Sequence, residues 1–322
     1  MGVDVGGTKM LAALFDQNFK LLVERKEKTN GREGAKAVVN RLQTLIVDTL
    51  REAEVSRKQL GGIGVGCPGP VNVNTGVVLA APNLGWHNLP LRKKLETELG
   101  RPVLILNDVD AGTYGEYRFG AGEQARCVLG LFPGTGIGGG CIYEGRIMHG
   151  SANSCFEVGH MLVVPGGRLC GCGRHGCLEA HASRLAVAAD AVAAVYRGQA
   201  PALRELAGTD LSEVRSRTLA KAIIAGDEVV AGIVHRAAYL LGTAAASIVN
   251  LIAPDVVVLG GGLVEALEKI YVEEVRRAIT EQAMSFLGRP VKIRAAKLGD
   301  RAGILGCAAL AADAFGGKKR KS

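Results

Sequence analysis

The chain has 322 residues, of which 48% are hydrophobic and 22% charged, enough for one large domain or two ordinary ones and too apolar for global disorder. Part of its net charge of +8 sits in the closing "KKRKS", and no basic stripe interleaved with aromatics runs through the rest, so nucleic acid is not the expected partner. No signal peptide is expected at Met1, and eight cysteines without a disulfide framework fit free thiols in the cytoplasm.

In chain order, "MGVDVGGTKMLAALFD" reads as strand, glycine turn, strand, with Val3 and Val5 flanking Asp4. "FKLLVERKEK" predicts a third strand. Val38, Leu42, Leu45, Ile46 and Leu50 have helical spacing. "GGIGVGCPGPV" is a short buried strand with a Pro-Gly loop, and "LPLRKKLETELG" a helix with a glycine stop. "RPVLILND" is an apolar strand ending in Asn107 and Asp108.

The pattern then restarts. "ARCVLGLFPGTGIGGGCIYEGRIM" is again strand, glycine turn, strand, and a long irregular segment follows that holds Cys170, Cys172 and Cys177. Helices are expected in "SRLAVAADAVAAVYRG", in "SRTLAKAIIAGD" and through Asn250. "PDVVVLGGGL" is a strand with a third glycine loop, "VKIRAAKLGD" a late strand, and "AGILGCAALAADAF" a closing helix. The uncharged run from Ala237 to Ile252 is short for a membrane span and rich in small residues, which predicts a buried helix and no membrane partner. The repeated unit predicts two similar α/β lobes with a ligand cleft between them.

The turns in "DVGGTK" and "PGTGIGGG" expose backbone N–H groups that bind anions, and two such turns can hold a polyphosphate. Gly134, Gly136 and Gly139 match the dinucleotide-binding pattern, but a strand follows them where that fold needs a helix; the P-loop pattern is absent. Asp108, at the end of a buried strand, has the chemistry of a general base for an acceptor hydroxyl. Capping of the following helix by Asn107 or Asp108 is the competing role. Cys170, Cys172 and Cys177 are close enough for a tetrahedral zinc site, with His160 or His175 as the fourth ligand. A C-x-C spacing argues against a redox centre, and a nucleic-acid zinc ribbon would need a second ligand pair. Glu157, His160, Glu179 and Asn83 supply the carboxylates, imidazole and amide that a polyhydroxylated ligand needs.

Taken together, "DVGGTK", "NDVDAGTYGE", "GTGIGGG", "EVGH", "CGCGRHGCLE" and "LGGG" occur in the order found in the ROK (repressor, ORF, kinase) family. The chain resembles that family over essentially its whole length, most of all its bacterial glucokinases. The cysteine motif carries the resemblance most specifically.

The resemblance implies an actin-like/hexokinase (ribonuclease H-like) fold of two lobes, with an interlobe cleft and a zinc-binding loop. It implies lobes at 1–108, completed by a C-terminal helix at about 302–316, and at 109–301; the basic tail at 317–322 is expected to be a solvated, disordered end. Asp108 matches the family's catalytic base. Asn83, Asn107, Asp108, Glu157, His160 and Glu179 match its sugar-binding residues. His160 matches the fourth zinc ligand beside Cys170, Cys172 and Cys177. Asp4, Gly6, Gly7, Thr8 and Lys9 match the first phosphate loop; Gly134, Thr135, Gly136 and Gly138 match the second; Gly260, Gly261 and Gly262 lie where adenosine is held.

The implied activity is ATP- and Mg²⁺-dependent phosphorylation of a hexose, with Zn²⁺ structural. Glucose is the expected substrate, with N-acetylglucosamine, N-acetylmannosamine, mannose or fructose as alternatives, and polyphosphate as an alternative donor. A homodimer or homotetramer is expected. The family's repressors carry a DNA-binding region before the first phosphate loop, for which Gly6 leaves no room here; Met1 lies so close to the first strand that a slightly longer start is also expected. Val109 and Asp110 depart from smaller or amide residues in relatives, and Asp110 adds a carboxylate expected to raise the pKa of Asp108.

Overall fold

The computed structural model describes residues 1–151 and 154–316. The basic tail of the sequence therefore lies outside the described residues. The elements begin with β1 (Gly2–Val5), β2 (Lys9–Phe15), β3 (Leu21–Lys28), α1 (Ala35–Glu52), β4 (Ile63–Cys67), β5 (Val71–Asn72), β6 (Val77–Ala81), β7 (Trp86–Leu89), α2 (Leu91–Leu99), β8 (Val103–Asn107) and α3 (Asp108–Phe119). They continue with β9 (Cys127–Pro133), β10 (Ile137–Tyr143), β11 (Arg146–Ile147), α4 (Leu178–Ala182), α5 (Arg184–Tyr196), α6 (Pro201–Ala207), α7 (Ser216–Ile224) and α8 (Glu228–Ile252). The last are β12 (Val256–Leu259), α9 (Gly262–Gln282), α10 (Ser285–Gly288), β13 (Lys292–Ala295) and α11 (Arg301–Phe315).

Two compact units divide the chain. The first comprises Met1–Gln124, Gly145–Cys155 and the stretch from Asp300 onward; the second comprises Ala125–Glu144 and Phe156–Gly299. The boundary expected after Asp108 thus falls after Gln124. The physical reason is α3, which packs along α11 inside the first unit. That approach is backbone-close: a Cβ on Gly306 would lie 1.8 Å from the Ala111 carbonyl oxygen.

The first unit is built on a sheet of order β3-β2-β1-β4-β8. β1, β4 and β8 are parallel, while β2 and β3 are antiparallel to their neighbours. Val3, Val5, Val65 and Ile105 are wholly buried, as parallel strands covered by helices require. The stripe of Val38, Leu42, Leu45, Ile46 and Leu50 turns α1 onto this sheet, as its spacing predicts. Gly100, in a left-handed conformation with φ 63°, ends α2. A small sheet of order β5-β6-β7 adds Trp86 to the core. Its strands are only two to five residues long and broken by Pro, Asn and Gly, so the sequence gives them no period.

Within the second unit the strand order is β10-β9-β12-β13, with β9 and β10 antiparallel and β9, β12 and β13 parallel. The hairpin-then-parallel plan of the first unit is thus repeated. α8 is long and apolar enough to cross a membrane by length and composition alone. Yet Ala237, Ala238, Leu241, Ala245 and Val249 are buried in the unit's own core, where α8 packs on α5 and α9. α9 follows the third glycine loop directly and was not marked as a helix by the residue spacing.

Candidate active site and metal centre

In each unit the polar residues gather at the carboxyl ends of parallel strands, where backbone groups are left without ladder partners. In the first unit, β1 ends in Asp4 and Val5, and the turn to β2 is closed by the Gly6 N–H donating to the Lys9 carbonyl at 2.9 Å. The Thr29 hydroxyl, donating to the Gly6 carbonyl at 2.6 Å, and the Thr29 N–H, donating to the Thr8 carbonyl at 3.0 Å, brace this turn from β3's end. Gly7 and Thr8 are exposed at its tip. Asn83 lies in a 3-10 turn, with its Cβ 3.8 Å from where a Gly7 side chain would begin.

At the end of β8, Asn107 caps α3. Its side-chain oxygen accepts from the Val109 and Asp110 amides at 2.9 and 3.1 Å, and its amide nitrogen donates to the Gly69 carbonyl at 3.1 Å. The cap competing with catalysis therefore falls on Asn107, and Asp108 becomes the first residue of the helix. Register puts Asp4 beside Gly66 and Asn107 beside Cys67, so one strand separates them. Gly66, lacking a side chain, lies against the Asp108 backbone.

Asp4 feels this arrangement. Burial first, then the charge of Asp108, pushes its carboxyl up to about 7; Lys9 opposes the rise and Asp300 adds to it. Lys9 is ion-paired with Asp300. Asp300, just before α11, was not singled out from the sequence, because only the return of α11 to the first unit brings it to the first glycine turn. The charge of Asp108 thus reaches Asp4 across the intervening strand β4. Three carboxylates against one lysine make a donor set that suits Mg²⁺, which takes one or two carboxylates plus substrate phosphates. Burial is the larger cause of the rise in Asp4 and the neighbouring carboxylates the smaller, and a cation bound there would favour the charged form.

In the second unit, β9 and β12 are neighbours, and their carboxyl ends carry two glycine loops side by side. In the Gly134–Gly136 turn the Gly134 N–H donates to the Gly136 carbonyl at 2.8 Å. Gly138 and Gly139 lie in β10, a strand, as the argument against a dinucleotide fold requires. The Gly260 N–H donates to the Leu131 carbonyl at 2.9 Å, and Gly261, at φ 82°, turns the chain into α9 at Gly262.

Glu179, on α4, joins this turn to the cysteine loop. One carboxylate oxygen accepts from the Ile137 amide at 2.9 Å; the other lies 3.9 Å from the Cys170 sulfur. Gly136 must be glycine for this contact, since a Cβ there would fall 2.4 Å from the same carboxylate. Glu157 is exposed and precedes the short 3-10 turn Val158–His160.

The candidate metal-ligand set is His160, Cys170, Cys172 and Cys177, whose ligand atoms all lie within 4.8 Å of one another. His160 Nδ1 is 3.7 Å from Cys170 Sγ, and the Cys172 and Cys177 sulfurs are 3.7 Å apart, far too long for a disulfide. Four ligands at about 2.3 Å (sulfur) and about 2.0–2.1 Å (nitrogen) around Zn²⁺ give tetrahedral edges of about 3.8 and 3.5 Å, so the residues fit this ion. His175 is turned away, its Nδ1 on the Gly167 carbonyl at 3.0 Å, which decides between the two histidines. The Leu178 N–H donates to the Met161 carbonyl at 2.9 Å and ties the His160 segment to the Cys177 segment. Burial and then the neighbouring thiols push the Cys177 thiol up to about 11. Burial also raises Cys170, while a backbone hydrogen bond from Arg174 lowers Cys172. A bound cation reverses the penalty by deprotonating the thiols. The other five cysteines are free thiols, four of them buried.

The ROK family model matches residues 1–314. A glucokinase of Halalkalibacterium halodurans is 32% identical over 307 residues, covering 95% of this chain and 92% of that one. A xylose repressor of Caldicellulosiruptor bescii is 29% identical over 310 residues, 96% of this chain and 77% of its own. The crystal structure of a ROK family glucokinase from Streptomyces griseus, in complex with glucose and AMPPNP, superposes with a TM-score of 0.83 at 32% identity, covering 97% of this chain and 98% of that one. The mixed α/β fold, the two units and the family's motifs agree, and the chain belongs to the ROK family.

Proposed function

We propose that this protein is an ATP-dependent hexose kinase that phosphorylates the 6-hydroxyl of glucose. The observation that carries the reading is Asp108, placed at the end of β8 and electrostatically linked to Asp4 of the first glycine turn. A base for the acceptor and an anion-binding turn for the donor are thereby held by one sheet. The likeness to glucokinases supports glucose as the acceptor.

In this reading Asp108 takes the proton of the 6-hydroxyl as that oxygen attacks the γ-phosphorus in line, and ADP leaves. The glycine turn of each unit offers amides to phosphate, and Gly260 to Gly262 of the second unit border the adenosine. Mg²⁺, held near Asp4, neutralises phosphate charge when bound. The residues proposed to bind sugar are Asn83, Asn107 and Asp108 of the first unit, Asn107 acting through its cap, and Glu157, His160 and Glu179 of the second. Held by His160, Cys170, Cys172 and Cys177, a Zn²⁺ ion would have no open position for chemistry, and its part would be to fix the segment carrying Glu157, His160 and Glu179.

The test is a coupled assay over glucose, mannose, fructose, N-acetylglucosamine and N-acetylmannosamine, with ATP and with polyphosphate. Glucose with ATP is expected to give the highest kcat/KM. Asp108→Asn is expected to lower kcat by about 10²–10⁴-fold with unchanged thermal melting. Phosphorylation of none of the sugars, or near-normal turnover by the variant, would sink the reading.

A further inference from the structure

We infer that Arg184 is a phosphate ligand of the donor nucleotide, an inference that rests on reading the Gly134–Gly136 turn as a phosphate loop. Arg184 opens α5, a helix of 13 residues whose N-cap, Ser183, accepts from the Ala186 amide at 3.2 Å. Its own N–H donates to the Gly134 carbonyl at 2.9 Å, and its guanidinium donates to the Thr135 hydroxyl at 3.1 Å. The backbone contact fixes the start of α5 on the turn, and the side-chain contact sets the cation beside Thr135.

The charge of Arg184 is unspent. Among the described residues its guanidinium forms no ion pair, whereas Arg168 and Arg236 on the same face of the unit share Asp190. The hydrogen bond to Thr135 uses one of five donors, and the planar fork keeps others for an anion. The amides of Thr135 and Gly136 likewise have no intramolecular acceptor among the described residues, and Thr135 is exposed. A half-buried guanidinium beside free amides on a glycine turn is the chemistry that recognises phosphoryl oxygens. It has no bearing on an uncharged nucleoside.

A role as a mere latch for Thr135 makes a different prediction, because a neutral donor could replace it. Binding of ATP, ADP and adenosine to the sugar-free, full-length protein, measured by titration calorimetry with Mg²⁺ present, separates the two. Arg184→Ala is expected to weaken ATP by roughly tenfold or more, the usual cost of losing a hydrogen bond to a charged group, and to leave adenosine within about twofold. Arg184→Gln, which keeps a donor for Thr135 but no charge, is expected to behave like Arg184→Ala, and Arg184→Lys to recover part of the loss. ATP binding at the wild-type level in Arg184→Gln, or equal weakening of ATP and adenosine, overturns the inference and leaves the kinase reading standing. Failure of the wild-type protein to bind ATP overturns both.

Discussion

The carboxyl of Asp4 ends β1 next to Asp108 and Asp300, and its ordinary value of 3.8 is raised to about 7. Between these two values the unfolded chain has released a proton that the folded chain keeps. The folded state therefore loses stability as pH rises through about 4 to 7, and the loss is constant above that window. Asp4→Asn removes the slope: in denaturant unfolding at several pH values, the variant is expected to gain on the wild type as pH climbs from 4 to 7. Added Mg²⁺ at pH 8 is expected to stabilise the wild type more than the variant. Parallel stability curves would remove the charge cluster from the account. Asp108 was legible in the sequence as an acid at a strand end, and Asp4 as an acid set between two valines of a strand beside a glycine turn. Asp300 was not, because its nearness to Lys9 spans 291 positions of sequence and exists only once α11 has docked. Arg184 carried no signal either, as an arginine opening an alanine-rich helix is ordinary.

The cysteine loop is held by short-range hydrogen bonds and by a donor set that no disulfide closes. Cys172 is exposed, so replacing it leaves no core cavity. Cys172→Ser is expected to lose zinc, measured by atomic emission, and to raise the KM for sugar by at least about tenfold, because structural metal binding contributes folding free energy to the loop it orders. Chelation of the wild type is expected to do the same. Tight sugar binding without metal would refute the scaffold role. The three cysteines were evident from spacing alone; the choice of His160 over His175 was not, since both are near in sequence. Geometry separates them by the Gly167 carbonyl, which engages His175. In the same way, Asn107 and Asp108 were equal candidates for the cap until their hydrogen bonds distinguished them.

The first unit is assembled from both ends of the chain, with α11 packed on β1, β4 and α3. Close approach of backbones makes this possible. A Cβ on Gly64 would fall 2.0 Å from the Cys307 carbonyl oxygen, and one on Gly306 1.8 Å from that of Ala111. Gly306→Val is expected to lower the melting temperature by about 5–10 °C, the consequence of overpacking by a few kcal/mol. Gly232→Ala, in α8 with open space around it, is expected to be neutral or slightly stabilising. A Gly306→Val protein that melts with the wild type would mean that α11 is not held as tightly as this packing implies.

By itself the sequence determined the class of fold, the glycine turns, the main strands and helices, and the residue types available for chemistry. These are local properties, set by hydrophobic period, by turn chemistry and by spacing within a few residues. The small sheet around Trp86 escaped it, because short interrupted strands have no period. Only the tertiary structure decided that α3 belongs with the first unit, that Glu179 bridges the second glycine turn and the cysteine loop, and that Asp300 meets Lys9; it also gathers His160, which spacing alone left level with His175, beside the three cysteines. Those are contacts between residues far apart along the chain or between equally plausible neighbours. They are selected by packing, which no short stretch of sequence specifies.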